Sequence, residues 1–148
     1  MSREKVPVNV LFDTDVLVDF LLDREPFAEA AAQLLTAVDR GELYGCACAN
    51  SITTVFYLTR KAVGAPKAKR HVRALLSLLQ IAGVNESVLA EALDSRIRDF
   101  EDAVVAASAA RAKVDIIVTR NLKDFKHATL PVQTPAQLLT LLTSQNGS

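Results

Sequence analysis

Residues 8–23 read VNVLFDTDVLVDFLLD, an apolar run that is interrupted by Asp13-Thr14-Asp15 and resumes at Val16. The first part is typical of a buried β-strand, and the second is typical of a helix that follows it. A carboxylate at the end of a buried strand costs free energy unless it is paired or bound to a cation. Three interpretations of Asp13 and Asp15 are therefore open: a helix cap, the acidic pair of a phosphatase, or a metal site.

The composition indicates a globular protein with balanced charge. The chain has 148 residues, half of them hydrophobic, with 17 basic and 17 acidic side chains. This length suits one domain, which we expect to span residues 1–148 with a core from about 7 to 143. Net charge by itself favours neither a nucleic-acid binder nor an enzyme for acidic substrates. A charged N-terminus and the lack of an apolar run near 18 residues predict a cytoplasmic protein without a membrane span.

Strand-like and helical patterns alternate along the whole chain. After the first strand, apolar runs typical of buried strands lie at Leu43–Ala49, Ile81–Val84, Asp115–Thr119 and around Val132. Helical patterns separate these runs, and one of them starts at Asn50 or Ser51, which we expect to be its N-cap. The alternation predicts an α/β fold, a three-layer α/β/α sandwich with a mainly parallel central sheet of four to five strands.

Polar residues follow several of these strands, at the edge where the functional crevice of such a fold lies. The residues expected there are Asp13 and Asp15 after the first strand, Asn50 and Ser51 after the second, Thr119, Arg120 and Asn121 after the run Asp115–Thr119, and Asp99 and Asp102 at the start of the helix before that run. Four separate segments thus bring polar side chains to one rim, which is the strongest physical signal in the sequence.

The acidic residues of this rim have both a structural and a chemical interpretation. Asp99 and Asp102 lie three residues apart, as in a helix-capping motif, and Asp15 is in place to cap the helix that follows it. If Asp13 and Asp102 meet, however, a positive charge must offset their repulsion, and Arg120 is the only nearby cation in these motifs. A divalent Mg²⁺ or Mn²⁺ ion suits such an all-oxygen site and would support chemistry on a phosphodiester.

Three segments, VLFDTDVLVDFLLDR, DFEDAVVAASAA and DIIVTRNLKDF, resemble the recurring segments of PIN domains. The stretches ANSITTVFYLTRK and LPVQTPAQLL extend this resemblance, in the same order, over nearly the whole chain. The resemblance implies an α/β/α nuclease that cuts RNA with Mg²⁺ or Mn²⁺ held by three or four acidic residues. Many prokaryotic members are toxins of VapBC-type pairs, inhibited by a small antitoxin protein and commonly homodimeric.

The resemblance assigns roles by position. It implies catalytic metal ligands at Asp13 and Asp102, further ligands among Asp99, Asn121 and Asp124, and supporting polar residues at Asp15, Ser51 and Thr119. The choice between Asn121 and Asp124 stays open. Two departures stand out: Asp15 replaces the usual Asn, and Phe56 stands where the family usually has Glu, with no acid between Glu42 and Glu86. The sequence resembles a PIN subgroup that lacks this second acidic residue.

Two rival functions follow from the same residues. A PIN-like module without catalysis would bind RNA or a protein only, since one expected metal ligand is missing. The opening Asp-x-Asp also resembles the first motif of haloacid-dehalogenase-type phosphatases, which need a later acidic pair at the end of another strand. Here that strand ends in TRN, and the chain is short for that fold, so the phosphatase ranks below the nuclease.

A basic stretch, RKAVGAPKAKRHVR, contains six Lys or Arg and no acid. Such a run is usually a solvated helix face. Beside an acidic crevice, it would also suit the phosphate backbone of RNA, with Arg60, Lys61 and Arg120 as the expected substrate contacts. An acidic antitoxin segment would fit the same charges.

Overall fold

The computed structural model describes residues 6–146, so residues 1–5 and 147–148 of the predicted domain lie outside the described part. Its strands form one sheet in the order β3-β2-β1-β4-β5, and every neighbouring pair is parallel. The strands are β1 Val8–Phe12, β2 Leu43–Cys48, β3 Gln80–Ala82, β4 Ile116–Val118 and β5 Val132–Gln133. The predicted parallel sheet is confirmed.

Helices connect the strands and cover both faces of the sheet. They are α1 Thr14–Leu21, α2 Ala28–Asp39, α3 Ala49–Val63, α4 Ala65–Leu78, α5 Glu86–Asp94, α6 Phe100–Arg111 and α7 Pro135–Asn146, with a 3₁₀ helix at Leu122–Phe125. Gly64, at a positive φ of 88°, separates α3 from α4. Between residues 6 and 146, no helix combines the length and the apolar character needed to cross a bilayer.

The alternation of side chains along β1 explains the three layers. Val10 and Phe12 point to one face and pack with α1, α2, α3, α4 and α7. Leu11 points to the other face and packs with α5 and α6. A strand buried on both faces must be apolar at every position, as the run Val8–Phe12 nearly is. The predicted α/β/α sandwich is therefore confirmed.

The order of the strands creates a crevice between β1 and β4. The connection from β1 to β2 passes over one face through α1 and α2, whereas the connection from β3 to β4 passes over the other face through α5 and α6. Because the two connections diverge there, the carboxyl ends of β1 and β4 are not covered by a helix. The residues after these two strands, Asp13 and Thr119, lie at this switch point.

Two predicted helix caps are wrong, because the chain enters the helices without an intervening loop. Asp13, not Asp15, is the N-cap of α1, and its Oδ1 accepts a hydrogen bond from the Thr14 N–H at 2.9 Å. Helix α3 begins at Ala49 directly after β2, so Asn50 and Ser51 lie inside its first turn and do not cap it.

The predicted capping role of Asp99 is confirmed. Its Oδ1 accepts a hydrogen bond from the Asp102 N–H at 3.0 Å, and its extended backbone precedes the first residue of α6, Phe100. This bond satisfies one of the N–H groups that have no partner within the helix.

Candidate active site

A cavity of about 360 Å³ opens at the switch point, and most of the predicted rim residues line it. We call it the active-site cavity. Its polar lining consists of Asp13, Thr14, Asp15, Arg24, Asn50, Ser51, Thr53, Thr54, Glu101, Asp102 and Asn121. Residues after β1, β2 and β4 and at the start of α6 therefore meet, as the sequence predicted. Arg24 and Glu101 were not predicted to take part.

Asp13 is the most buried carboxylate of the cavity, with 7% of its surface exposed. Its Oδ2 accepts a 2.8 Å hydrogen bond from the Thr119 hydroxyl, and its backbone N–H donates to the Val118 carbonyl at 2.9 Å. Burial, followed by repulsion from Asp15, raises the pKa of Asp13 to about 6, although the hydrogen bonds from Thr119 and Thr14 oppose the shift. Its charged form is therefore unfavourable without a nearby cation.

Asp102 lies in the first turn of α6 and faces the same cavity. Burial raises its pKa to about 7, and repulsion from Asp13, Asp99, Asp124 and Glu101 adds to the effect in that order. Asp13 is thus the carboxylate that acts most strongly on Asp102. Two carboxylates from distant parts of the chain repel each other across one cavity, which is the arrangement that a bound cation relieves.

Asp15 is held by residues that follow β4. Its Oδ2 accepts hydrogen bonds from the Arg120 backbone N–H and from Nδ2 of Asn121, both at 3.2 Å. Its Oδ1 is buried and has no hydrogen-bond partner among the described residues. Burial raises the pKa of Asp15, and the hydrogen bond and charge of Arg120 oppose this rise. One oxygen of Asp15 is therefore without a hydrogen-bond partner in the described chain.

Arg120 is bound to a buried residue that the sequence did not lead us to expect, and its predicted contact with substrate stays a prediction. Asp19 is only 1% exposed, and its carboxylate accepts hydrogen bonds from Nε of Arg120 at 2.7 Å and Nε of Arg24 at 2.8 Å. The Arg120 guanidinium also stacks on the Phe27 ring, 4.0 Å from its centroid. The sequence signal was a carboxylate inside the apolar helical run of α1, which requires a buried partner.

Phe56 does not line the cavity. It packs against the apolar cluster on the α1 side of the sheet, whereas the residues of α3 that line the cavity are Asn50, Ser51, Thr53, Thr54 and Leu58. Thr54 lies three residues after Ser51 and four before Leu58, on the face of the helix that all three share. That Phe56 stands at the position of the family's Glu stays a prediction, and Thr54 is a residue of this segment that faces the cavity.

The remaining predicted residues divide between the cavity and other surfaces. Ser51 is buried against the cavity, and its hydroxyl has no hydrogen-bond partner within residues 6–146. Asp99 and Asp124 lie outside it and line a neighbouring cavity together with Asp102. Arg60 and Lys61 are in the last turn of α3, roughly 14 Å along the helix axis from Ser51 by the usual rise per residue. The structure does not bring these two cations to the site.

The donor atoms of the cavity are carboxylate, amide and hydroxyl oxygens, which are the ligands that Mg²⁺ and Mn²⁺ prefer. In the part of the chain that the structure describes, no group of three or more His, Cys, Asp or Glu side chains is arranged to hold a metal. The carboxylates Asp13 and Asp102 with the free oxygen of Asp15 nevertheless provide the charge and donor types for a divalent ion.

Comparison with known proteins identifies the family. A family model described as a PIN domain matches residues 9–123, from the second residue of β1 to the second residue of the 3₁₀ helix. The chain belongs to the PIN domain family. This membership confirms the resemblance to PIN domains and favours the PIN interpretation of Asp13 over the phosphatase one, while the subgroup without the second acidic residue stays a prediction. A search of curated proteins found no significant match.

Solved structures of other PIN-fold proteins are similar to this chain. VapBC2 from Rickettsia felis, bound to a promoter DNA fragment, has a TM-score of 0.68 at 15% identity, covering 86% of this chain and 98% of that one. A toxin–antitoxin complex from Klebsiella pneumoniae has a TM-score of 0.64 at 24% identity, covering 85% and 97%. VapC20 from Mycobacterium tuberculosis, a toxin that cleaves the sarcin–ricin loop, has a TM-score of 0.60 at 13% identity, covering 73% and 86%. At these identities, the likeness shows the PIN fold.

Proposed function

We propose that this PIN domain is a metal-dependent endoribonuclease and the toxin of a VapBC-type pair, acting on RNA phosphodiesters in the cytoplasm. The observation that carries the proposal is that Asp13 and Asp102 line one cavity and that both have raised pKa values, with Asp13 the carboxylate that raises the pKa of Asp102 most. Carboxylates with raised pKa values in one cavity are a feature of functional sites that accept a cation or a proton. Similarity to VapBC complexes and to an RNA-cleaving toxin supports the toxin role.

The cofactor of this proposal is Mg²⁺ or Mn²⁺, since PIN domain nucleases generally use divalent metal ions. Asp13 and Asp102 would hold the ion, with Asn121 or Asp124 and the unpartnered Oδ1 of Asp15 as further donors. When bound, the ion lowers the pKa of a water and stabilises negative charge on the phosphate under attack.

The protein contributes the orientation of these groups. Thr119 and Thr14 fix both oxygens of Asp13, so that the carboxylate keeps one direction while the substrate changes charge. Arg120 and Asn121 both donate to Oδ2 of Asp15 and so orient that carboxylate through one of its oxygens. Groups that are held before the reaction stabilise charge without reorganising, which is where a large part of enzymatic rate enhancement arises.

The proposed partners are RNA as substrate and a small antitoxin protein as inhibitor, with a second copy of the chain in a homodimer. The similar structures from Rickettsia felis and Klebsiella pneumoniae are toxin–antitoxin complexes, which favours an antitoxin here.

A second function, an RNA- or protein-binding PIN module without catalysis, rests on a specific observation. Helix α3 contributes Ser51 and Thr54 to the cavity and no carboxylate, since no acid occurs between Glu42 and Glu86. With fewer acidic ligands, a divalent ion is bound more weakly. This candidate expects weak or absent uptake of Mn²⁺ and no RNA cleavage.

Cleavage of RNA in the presence of Mn²⁺ tests the first function against the second. We expect Asp13→Asn and Asp102→Asn to abolish cleavage while circular dichroism shows an unchanged fold. The exposed Asp39 on α2 gives the matched control, and Asp39→Asn should cleave like the parent. If Asp13→Asn and Asp102→Asn both cleave at the parent rate, the site is wrongly assigned. Calorimetric uptake of Mn²⁺ by the parent, lost in Asp13→Asn, would exclude the binding-only module.

A further inference from the structure

A second, larger cavity of about 810 Å³ adjoins the active-site cavity, and Asp102 lines both. We call it the basic cavity. Two segments supply its cations: Arg96 and Arg98 precede α6, and Lys123 and Lys126 come from the 3₁₀ helix and the residue after it. His127 also lines it, and its carboxylates are Asp99, Asp102 and Asp124. None of these cations belongs to the basic stretch RKAVGAPKAKRHVR of residues 60–73.

The four cations of the basic cavity are not neutralised by ion pairs. The ion pairs formed within residues 6–146 are those of Asp19 with Arg24 and Arg120, and that of Arg111 with Glu91. Arg96, Arg98, Lys123 and Lys126 therefore have no carboxylate within 4.0 Å in the described chain, although three carboxylates share their cavity. Asp99 uses Oδ1 to cap α6. The cations are available to an external anion.

The two cavities differ in charge on either side of Asp102. The active-site cavity contains the carboxylates Asp13, Asp15, Glu101 and Asp102 and the single cation Arg24, which Asp19 already binds. A polyanion is repelled there unless a metal is present, whereas the basic cavity attracts it. A polyanion held in the basic cavity would therefore bring one of its phosphates to Asp102, where the two cavities meet.

We propose that the basic cavity binds the sugar-phosphate backbone of single-stranded RNA and places the strand beside Asp102 for cleavage. This inference rests on the proposed ribonuclease function. Arg96, Arg98, Lys123 and Lys126 contact phosphates and set the position of the strand, without reading its sequence. Guanidinium and ammonium groups are the usual phosphate partners in proteins.

The rival surface for RNA is the basic stretch on α3 and α4. Its cations include Arg60, Lys61, Lys67 and Lys69, and none of these lines the active-site cavity or the basic cavity. Lys67 and Lys69 are exposed, as are Lys123 and Lys126, so that neutralising either pair removes the same charge from the same kind of position. The two pairs therefore give matched variants.

Binding of a fluorescent single-stranded RNA to the full chain, measured by anisotropy over a series of salt concentrations, tests the proposal. The Asp13→Asn background prevents cleavage during the measurement. Adding Lys123→Gln and Lys126→Gln should weaken binding at least about fivefold and reduce the slope of log K against log salt by about 1.4, since each lost contact to a single strand removes about 0.7. Adding Lys67→Gln and Lys69→Gln instead should leave both quantities near those of the background.

Equal binding by the two double variants, or a loss confined to Lys67→Gln with Lys69→Gln, would overturn the proposal. If the basic cavity instead binds an acidic protein segment, Lys123→Gln with Lys126→Gln should bind RNA as tightly as the Asp13→Asn background does. A separate cleavage assay in the wild-type background distinguishes the two proposals. If Lys123→Gln with Lys126→Gln weakens RNA binding but the wild-type chain does not cleave RNA, only the ribonuclease function is contradicted. If the chain cleaves RNA and the same two substitutions do not change cleavage, only the role of the basic cavity is contradicted.

Discussion

The Thr119 hydroxyl donates a 2.8 Å hydrogen bond to Oδ2 of Asp13, and both side chains are buried. The two residues are 106 positions apart in the sequence, yet each follows directly after one of two neighbouring parallel strands. Because β1 and β4 pair in register, Phe12 opposite Val118, the next residue of each strand must lie side by side. The sheet itself therefore orients the carboxylate at the centre of the candidate site.

Thr119→Val tests how far this bond controls Asp13. Valine keeps the shape of threonine but donates no hydrogen bond, so that the pKa of Asp13 should rise above its present value of about 6. The acidic limb of the pH profile of RNA cleavage should then shift to higher pH, and stability should fall by about 1–2 kcal/mol. The exposed Thr36 provides the control, since Thr36→Val should leave the pH profile in place. An unchanged acidic limb in Thr119→Val would show that Asp13 does not set it.

The raised pKa values of Asp13 and Asp102 predict how stability depends on pH in metal-free protein. An unfolded Asp titrates near 3.8, but these two titrate at about 6 and about 7 in the folded chain. Between the unfolded and the folded pKa values, the folded state binds more protons than the unfolded state. The contribution of Asp13 and Asp102 to the free energy of unfolding therefore falls as pH rises from about 4 to 7. We expect Asp102→Asn to be more stable than the parent at pH 8 in the presence of a chelator.

Urea unfolding over a pH series measures this difference. Because other groups also titrate, the informative quantity is the parent curve minus the Asp102→Asn curve. This difference should become more negative between pH 4 and pH 7, and Mn²⁺ should restore the stability of the parent at pH 8 more than that of the variant. A difference that stays constant with pH would mean that neither burial nor the acidic neighbours raise the pKa of Asp102 in the folded chain.

The two ion pairs that the buried Asp19 forms with the partly exposed Arg24 and Arg120 should matter for stability more than a surface pair does. In Asp19→Asn, both guanidinium groups lose their charged partner, which we expect to lower the free energy of unfolding by about 1–3 kcal/mol. The contact of Arg111 with Glu91, 3.6 Å long and half exposed, is the matched control, since Glu91→Gln should cost less than about 1 kcal/mol. Chemical denaturation of the two variants compares them. Equal losses would contradict a structural role for Asp19.

The sequence predicted the sheet and the convergence of the acids because both depend on local patterns. Apolar runs identify strands that are buried on both faces, and the residue after a strand is known once the end of the strand is known. Asp13, Asp102, Ser51, Thr119 and Asn121 could be located in this way. These predictions required no knowledge of side-chain direction.

Contacts that depend on the direction of a side chain could not be predicted in this way. A family motif gave Phe56 the position of the Glu, but it did not show that Thr54 lines the cavity. The bond of Arg120 to the buried Asp19 was not expected, because it depends on how α1 packs against the end of β4. The cations of the basic cavity come from two short irregular segments, which have no periodic pattern to predict their direction.

Restoring an acid on α3 tests the rotation of that helix directly. Thr54 faces the active-site cavity, so the carboxylate of Thr54→Glu would join Asp13 and Asp102 and should increase the affinity for Mn²⁺ at least about threefold by calorimetry. Phe56→Glu places the same charge against the apolar cluster, and we expect it to lose about 2 kcal/mol or more of stability without any gain in Mn²⁺ affinity. Tighter Mn²⁺ binding in Phe56→Glu than in Thr54→Glu would show that the helix face is wrongly assigned. If neither variant binds Mn²⁺ more tightly than the parent, a carboxylate on α3 does not add a ligand to a metal site in this cavity.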